Sequence, residues 1–154
     1  MLACMDQLSP VNTELRALDA LVGKWFSEGE VEETSENPRL EVKGTDSYEW
    51  VCNGSYLLHR VDVVMGAEKK EVVELIGYDV QNAAYSMRSF DNQGNFTLMY
   101  MTITSDGIYK INGDLMRSTL IVSKDGKDMT AQWEKSSDGT IWEVWMDMKF
   151  TKAL

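Results

Sequence analysis

The chain has 154 residues, 44% of them hydrophobic, and a formal net charge of −10. That suits one domain with one core and is too apolar for a disordered chain. A surface this acidic repels nucleic-acid phosphates and anionic lipid, and no apolar run approaches the roughly 20 residues that span a bilayer, so neither nucleic acid nor membrane is an expected partner.

The start of the chain lacks the basic and long apolar segments of a secretory signal, so a soluble cytoplasmic protein is expected. Met1-Leu2-Ala3-Cys4 has the residue order that ends a lipoprotein signal, but a lipoprotein is not the expected reading. Cys4 and Cys52 are too few and too far apart for a disulfide framework or a zinc pattern. Ser9-Pro10 has the residues of a helix start, Leu15, Leu18 and Val22 follow at helical spacing, and Gly23 is a stop. These signals predict one short helix over about 11–21, plugging or flanking a larger structure.

From Gly23 the period of the pattern changes to two. Turn signals punctuate it at Asn53-Gly54, Gln81-Asn82, Asn92-Gln93-Gly94, Ser105-Asp106-Gly107, Asp125-Gly126 and Ser136-Ser137-Asp138-Gly139. No connection is long enough for a helical crossover or a Greek-key return. A meander of about ten short strands favours a closed antiparallel up-and-down barrel, which leaves no exposed edge. The whole chain, 1–154, is read as a single domain, with tail and helix over 1–22 and barrel over 23–152.

Tight turns fix register, and register fixes which side chains share a face. The Asn53-Gly54 turn sets Trp50 against Leu57, Tyr48 against His59 and Asp46 against Val61. The next turns set Tyr78 by Tyr85, Ile76 by Met87, Glu74 by Ser89, Met87 by Met99 and Tyr85 by Met101. Ile103 then opposes Tyr109, and Met101 opposes Ile111. Asp125-Gly126 sets Val122 by Met129, Leu120 by Ala131 and Ser118 by Trp133. A four-residue loop at 136–139 sets Trp133 by Trp142, Ala131 by Val144 and Met129 by Met146. The shared face is apolar, rich in aromatics and methionine, with Asp46, His59, Glu74, Ser89 and Ser118 as its polar members. The other face carries the charges, and a barrel this wide is expected to enclose a cavity.

Gly23-Lys24-Trp25 after the helix, Tyr48-Glu49-Trp50, Ile76-Gly77-Tyr78-Asp79 and Ser137-Asp138-Gly139 with Trp142 together resemble an uncharacterised bacterial family of lipocalin-like (calycin-type) proteins. The resemblance covers about residues 15–150. It implies a barrel whose end is closed by Trp25 under a basic side chain, Lys149 or Lys152, and it carries no activity with it. More distantly the chain resembles the fatty-acid-binding proteins and nitrobindin. The first hold a carboxylate with interior arginine, but Arg60, Arg88 and Arg117 fall on the outer face. The second ligates haem through a histidine on a late strand, whereas His59, the sole histidine, is on an early one.

The ligand-lining set expected from register is Tyr48, Trp50, His59, Glu74, Met87, Met99, Met101, Tyr109, Ser118, Trp133 and Trp142. His59 has two readings: an orienting group or general base, or a buried histidine hydrogen-bonded to tyrosine or a carboxylate, the commoner situation. Glu74, facing an apolar lumen, is expected to have a raised pKa and to act as an anchor or acid/base, unless it lies by a wet mouth. The acidic run Glu28, Glu30, Glu32, Glu33 alternates along a strand and reads as a solvated face rather than a calcium loop. No catalytic residue, metal ligand set or cofactor is assigned. The expected function is non-enzymatic binding of a small, largely apolar molecule, neutral because the interior lacks arginine and lysine. Alternatives are an enzyme using the lumen as a reaction chamber with His59 or Glu74 as acid/base, and a filled structural or interaction barrel.

Overall fold

A computed structural model describes residues 10–154. A short helix, α1 (Pro10–Arg16), leads into a single 3₁₀ turn over Asp19–Leu21. Ten strands follow: β1 (Gly23–Val31), β2 (Leu40–Val51), β3 (Tyr56–Met65), β4 (Glu68–Asp79) and β5 (Ala84–Asp91). The second half holds β6 (Phe96–Ile103), β7 (Tyr109–Asn112), β8 (Met116–Val122), β9 (Asp128–Lys135) and β10 (Glu143–Lys152). Each strand pairs antiparallel with its chain neighbours, and β1 pairs with β10, so the sheet closes into an up-and-down barrel. Ser9 and Cys4 lie outside the described residues.

The alternation in the sequence is the alternation of burial. Along β1, Trp25, Ser27 and Val31 are buried, while Phe26, Glu28 and Glu30 face outward. Five hairpins have the registers that their turn residues predict. Tyr48 opposes His59, Glu74 opposes Ser89, Met87 opposes Met99, Ile103 opposes Tyr109 and Ser118 opposes Trp133. At Gly44 a β-carbon would collide with the Asp62 carbonyl oxygen and the Val63 α-carbon, so only glycine lets β2 and β3 approach this closely.

The last hairpin differs from its prediction. Its loop runs over residues 136–142, because Ser136 and Asp138 build a turn of their own. The Asp138 carboxylate accepts from the amides of Thr140 and Ile141 at 2.8 and 3.0 Å, and Ser136 Oγ accepts from Gly139 N at 2.8 Å. Trp133 therefore opposes Met146, Ala131 opposes Met148 and Met129 opposes Phe150, with a bulge between Val144 and Met146. The pairing moves by an even number of residues, so Met146 keeps its inward face. Val144, ahead of the bulge, turns outward, and Trp142 leaves the barrel for the loop. There the Arg117 guanidinium lies over its ring, 4.2 Å from the centroid. The outer surface is also less uniformly charged than expected: Val73, Leu75, Phe90, Phe96 and Leu98 form an exposed apolar patch on β4–β6.

The N-terminal segment closes one end of the barrel. The predicted helix stops early, after Arg16, and the chain tightens into i→i+3 hydrogen bonds at Ala17, Leu18 and Leu21. Barrel side chains also donate to carbonyls of this segment: Tyr85 Oη to Glu14, Tyr109 Oη to Ala17 and Trp25 Nε1 to Leu21. Leu15, Leu18 and Leu21 point into the core. Trp25 is fully buried, and Lys152 stands 5.3 Å from its ring centroid, the basic partner that the Gly-x-Trp resemblance implies. Replacing Trp25 with alanine is expected to cost about 3–5 kcal/mol in urea unfolding, the usual cost of deleting a buried large aromatic. A loss below about 1 kcal/mol would mean that Trp25 does not hold the closed end.

Candidate functional site

The lumen contains a cavity of about 300 Å³. Leu21 of the plug bounds it at the closed end, and Met65, Lys70, Asp91, Met116 and Trp145 lie towards the opposite end. Of the expected lining residues, Tyr48, His59 and Glu74 contribute to its wall on one side. Met87, Met99, Met101, Ser118 and Trp133 contribute elsewhere. Three expected residues do not line it. Trp50 faces inward but sits at the plugged end, where Nε1 donates to Asp19 Oδ1 at 2.9 Å and Arg16 stacks on the ring. Tyr109 is buried and committed to the Ala17 carbonyl. Trp142 is outside the barrel, for the reason given above.

A polar belt crosses the middle of four adjacent strands, β1 to β4. His59 Nε2 lies 2.7 Å from Asp46 Oδ2, and His59 Nδ1 lies 3.0 Å from Glu74 Oε1. Ser27 donates its hydroxyl to the other Asp46 oxygen at 2.6 Å. The Tyr48 ring stacks on the imidazole with centroids 4.1 Å apart and planes within 6°. Each contact follows from register: His59 pairs with Tyr48 on β2 and with Glu74 on β4, and Asp46 lies one inward position from Tyr48. Asp46 and Glu74 are both buried, and the His59 side chain is only 13% exposed.

An imidazole that donates to a carboxylate from each nitrogen must carry both protons. Burial works against that charge, but the hydrogen bonds and negative charges of Asp46 and Glu74 outweigh it and push the His59 pKa up to about 9. Burial, followed by the same two carboxylates, drives the Tyr48 hydroxyl well above its ordinary value, so it stays protonated. One imidazolium between two carboxylates leaves the belt with one net negative charge. His59 is thus the buried, hydrogen-bonded histidine of the second reading. Both its nitrogens are occupied, so it is not free to accept a proton from a bound molecule.

Several polar atoms of the wall have no hydrogen-bond partner among the described residues, the Tyr48 hydroxyl among them. Among the described residues no hydrogen bond reaches the second oxygen of Glu74, Oε2, which stays open to the lumen. On β8, four places round the ring from β4, Ser118 Oγ is buried without a partner. Register reasoning missed Ser27, Trp145 and Lys70. Counting by twos from Trp25 and from Glu74 brings Ser27 and Lys70 to the inner face. Trp145 depends on the bulge, which no turn signal marks. The interior is therefore not free of basic residues: Lys70 points into the open end, 3.4 Å from Asp91.

A closed ten-strand barrel with a plugged end and a buried charged belt is the class of protein that these features define. Residues 11–152 match the family described as "Protein of unknown function (DUF1579)", and the chain belongs to that family. No functionally curated protein matches the sequence. In structure the chain is similar to Rv2717c from M. tuberculosis, with a TM-score of 0.67 and 11% identity, over 96% of this chain and 100% of that one. At that identity the likeness concerns the fold alone.

The belt has a pH signature. His59 titrates near 9 when folded and at its ordinary 6.5 when unfolded. A raised folded value means stabilisation that is complete below about pH 6.5 and lost as the pH climbs through 9. The loss is expected to be on the order of 3 kcal/mol in urea unfolding between pH 6.5 and 9.5. His59→Gln should flatten that slope. A wild-type curve as flat as the variant's would show that the ring is not charged in the folded protein.

Proposed function

We propose that the barrel binds a small, largely apolar molecule in its lumen without transforming it. The observation that carries this reading is the cavity of about 300 Å³, walled by methionine, tryptophan and aliphatic side chains around a few buried polar atoms. Pockets for small molecules have this make-up, and this volume is at the lower end of their range. Open space on this scale speaks against a filled structural barrel, since well-packed interiors hold few voids larger than a water molecule. The occupied nitrogens of His59 speak against its use as a general base. Methionines at Met87, Met99 and Met101 give the wall side chains that adapt to the shape of a guest. The plugged end, with Trp25 under Lys152, supports a lipocalin-like assignment. Cys52, exposed and without a partner among the described residues, fits a cytoplasmic setting, because oxidising compartments favour paired thiols.

Trp133 and Trp145 line the cavity and serve as its reporters. A naphthalene-sized apolar probe is expected to quench tryptophan fluorescence saturably. Ala131 is buried in the same wall, and Ala131→Phe projects a ring into the void. The variant should keep the strand signature in circular dichroism while binding the probe at least about ten-fold more weakly. Equal quenching of both proteins would place the probe outside the lumen and overturn the reading.

A further inference from the structure

Resting on that lumen-binding reading, we infer that the ligand's polar end is a protonated nitrogen, an ammonium or amidinium group, held by the free oxygen of Glu74 inside the barrel. The sequence pointed instead to a neutral ligand, because no interior arginine or lysine was apparent. The structure changes the premise, since the belt itself carries charge. Asp46 and Glu74 bring two carboxylates, and His59 returns one positive charge through hydrogen bonds of 2.7 and 3.0 Å. One negative charge is left among groups that are almost wholly buried.

A charge in a largely apolar lumen is poorly solvated, and a counter-charge stabilises it. Asp46 is fully engaged, one oxygen with His59 and the other with Ser27. Glu74 is not. Its Oε1 meets His59, its Oε2 meets no described residue, and its side chain lines the cavity. The surplus charge and an acceptor unclaimed by any described residue thus fall on one side chain. An ammonium donor supplies both the missing hydrogen bond and the missing charge, whereas a hydroxyl supplies only the first. Across the lumen, the unpartnered hydroxyl of Ser118 is 3% exposed and offers a second polar contact. Tyr48, protonated and packed against the imidazole, keeps the ring in place between its carboxylates.

The lysines of the open end do not cancel this charge. Lys70 is four residues from Glu74 on the same strand, about 13 Å away at the rise of an antiparallel strand, and it is already paired with Asp91. Lys135 lies over the Trp145 ring, 3.6 Å from its centroid. The chain as a whole carries −10, which favours the approach of a cation.

The test uses three probes with one naphthalene body: 1-naphthylmethylammonium, 1-naphthylmethanol and 1-naphthoate. Each is titrated against the full-length protein at pH 7 by tryptophan quenching. The ammonium should bind about ten-fold or more tightly than the alcohol, and the carboxylate most weakly. Glu74→Gln should bring ammonium and alcohol to within about two-fold of each other, and an unchanged strand signature in circular dichroism shows that the variant is folded. If no probe binds, the lumen-binding reading itself fails. If the alcohol binds as tightly as the ammonium, or if Glu74→Gln keeps the ammonium preference, the lumen reading stands and the cationic ligand is overturned. Should Glu74→Gln not fold, the order of the three probes on the unaltered protein still decides.

Discussion

The pairing of β1 with β10 is the constraint on which the rest of this protein depends. Until those two strands meet, the meander is an open ribbon with two unpaired edges and one wet side to every strand. Once they meet, over Trp25–Val31 against Met146–Lys152, every inward side chain is enclosed together. Enclosure is what gives the polar residues their character. Asp46, His59 and Glu74 lose water when the ring closes and have only one another, Ser27 and the lumen to turn to.

The two ends of the barrel are treated differently, and that makes the enclosed space directional. At the closed end, aromatic side chains spend their polar atoms on the N-terminal segment: Trp25, Tyr85 and Tyr109 each donate to one of its carbonyls. Those contacts tie the end of the helix and the turn after it to the barrel wall. They also explain why the N-terminal segment does not continue as one helix. At the other end lysine, aspartate and methionine stand between lumen and solvent, and access is expected from that side.

Buried ion pairs are poor evidence of a stability device, because desolvation can cancel their attraction and well-packed apolar residues often do better. A belt of two carboxylates and one imidazolium in an otherwise apolar lumen is therefore better understood as preorganisation. Its hydrogen bonds fix the rotamers of three side chains, and the stacked tyrosine fixes the ring plane. What is held rigid is one carboxylate oxygen that faces open space. A binding site that must orient a guest needs such a group more than a folded state does.

The sequence by itself determined the alternation, the turn positions and hence the inner face of most strands. Tyr48 opposite His59 and Glu74 opposite Ser89 follow from a two-residue turn at Asn53-Gly54 and a four-residue loop around Gln81-Asn82, because a turn of given length leaves a hairpin one register. Even the belt was half legible: Asp46, His59 and Glu74 all came out on the inner face. Their contacts were not, since sequence parity says that side chains share a face but not that three strands bring them within hydrogen-bonding distance. The last hairpin was beyond reach for a related reason. Ser136 and Asp138 compete for backbone amides and lengthen the loop, and a bulge then resets the parity, so Trp142 and Val144 left the lumen while Trp145 entered it. Which inward residues line space and which are spent on the plug was likewise decided in three dimensions. Trp50 and Tyr109 have the right parity, but their polar atoms are claimed by a segment distant in sequence. Local chemistry sets the direction of a side chain; only closure of the ring decides what it meets there.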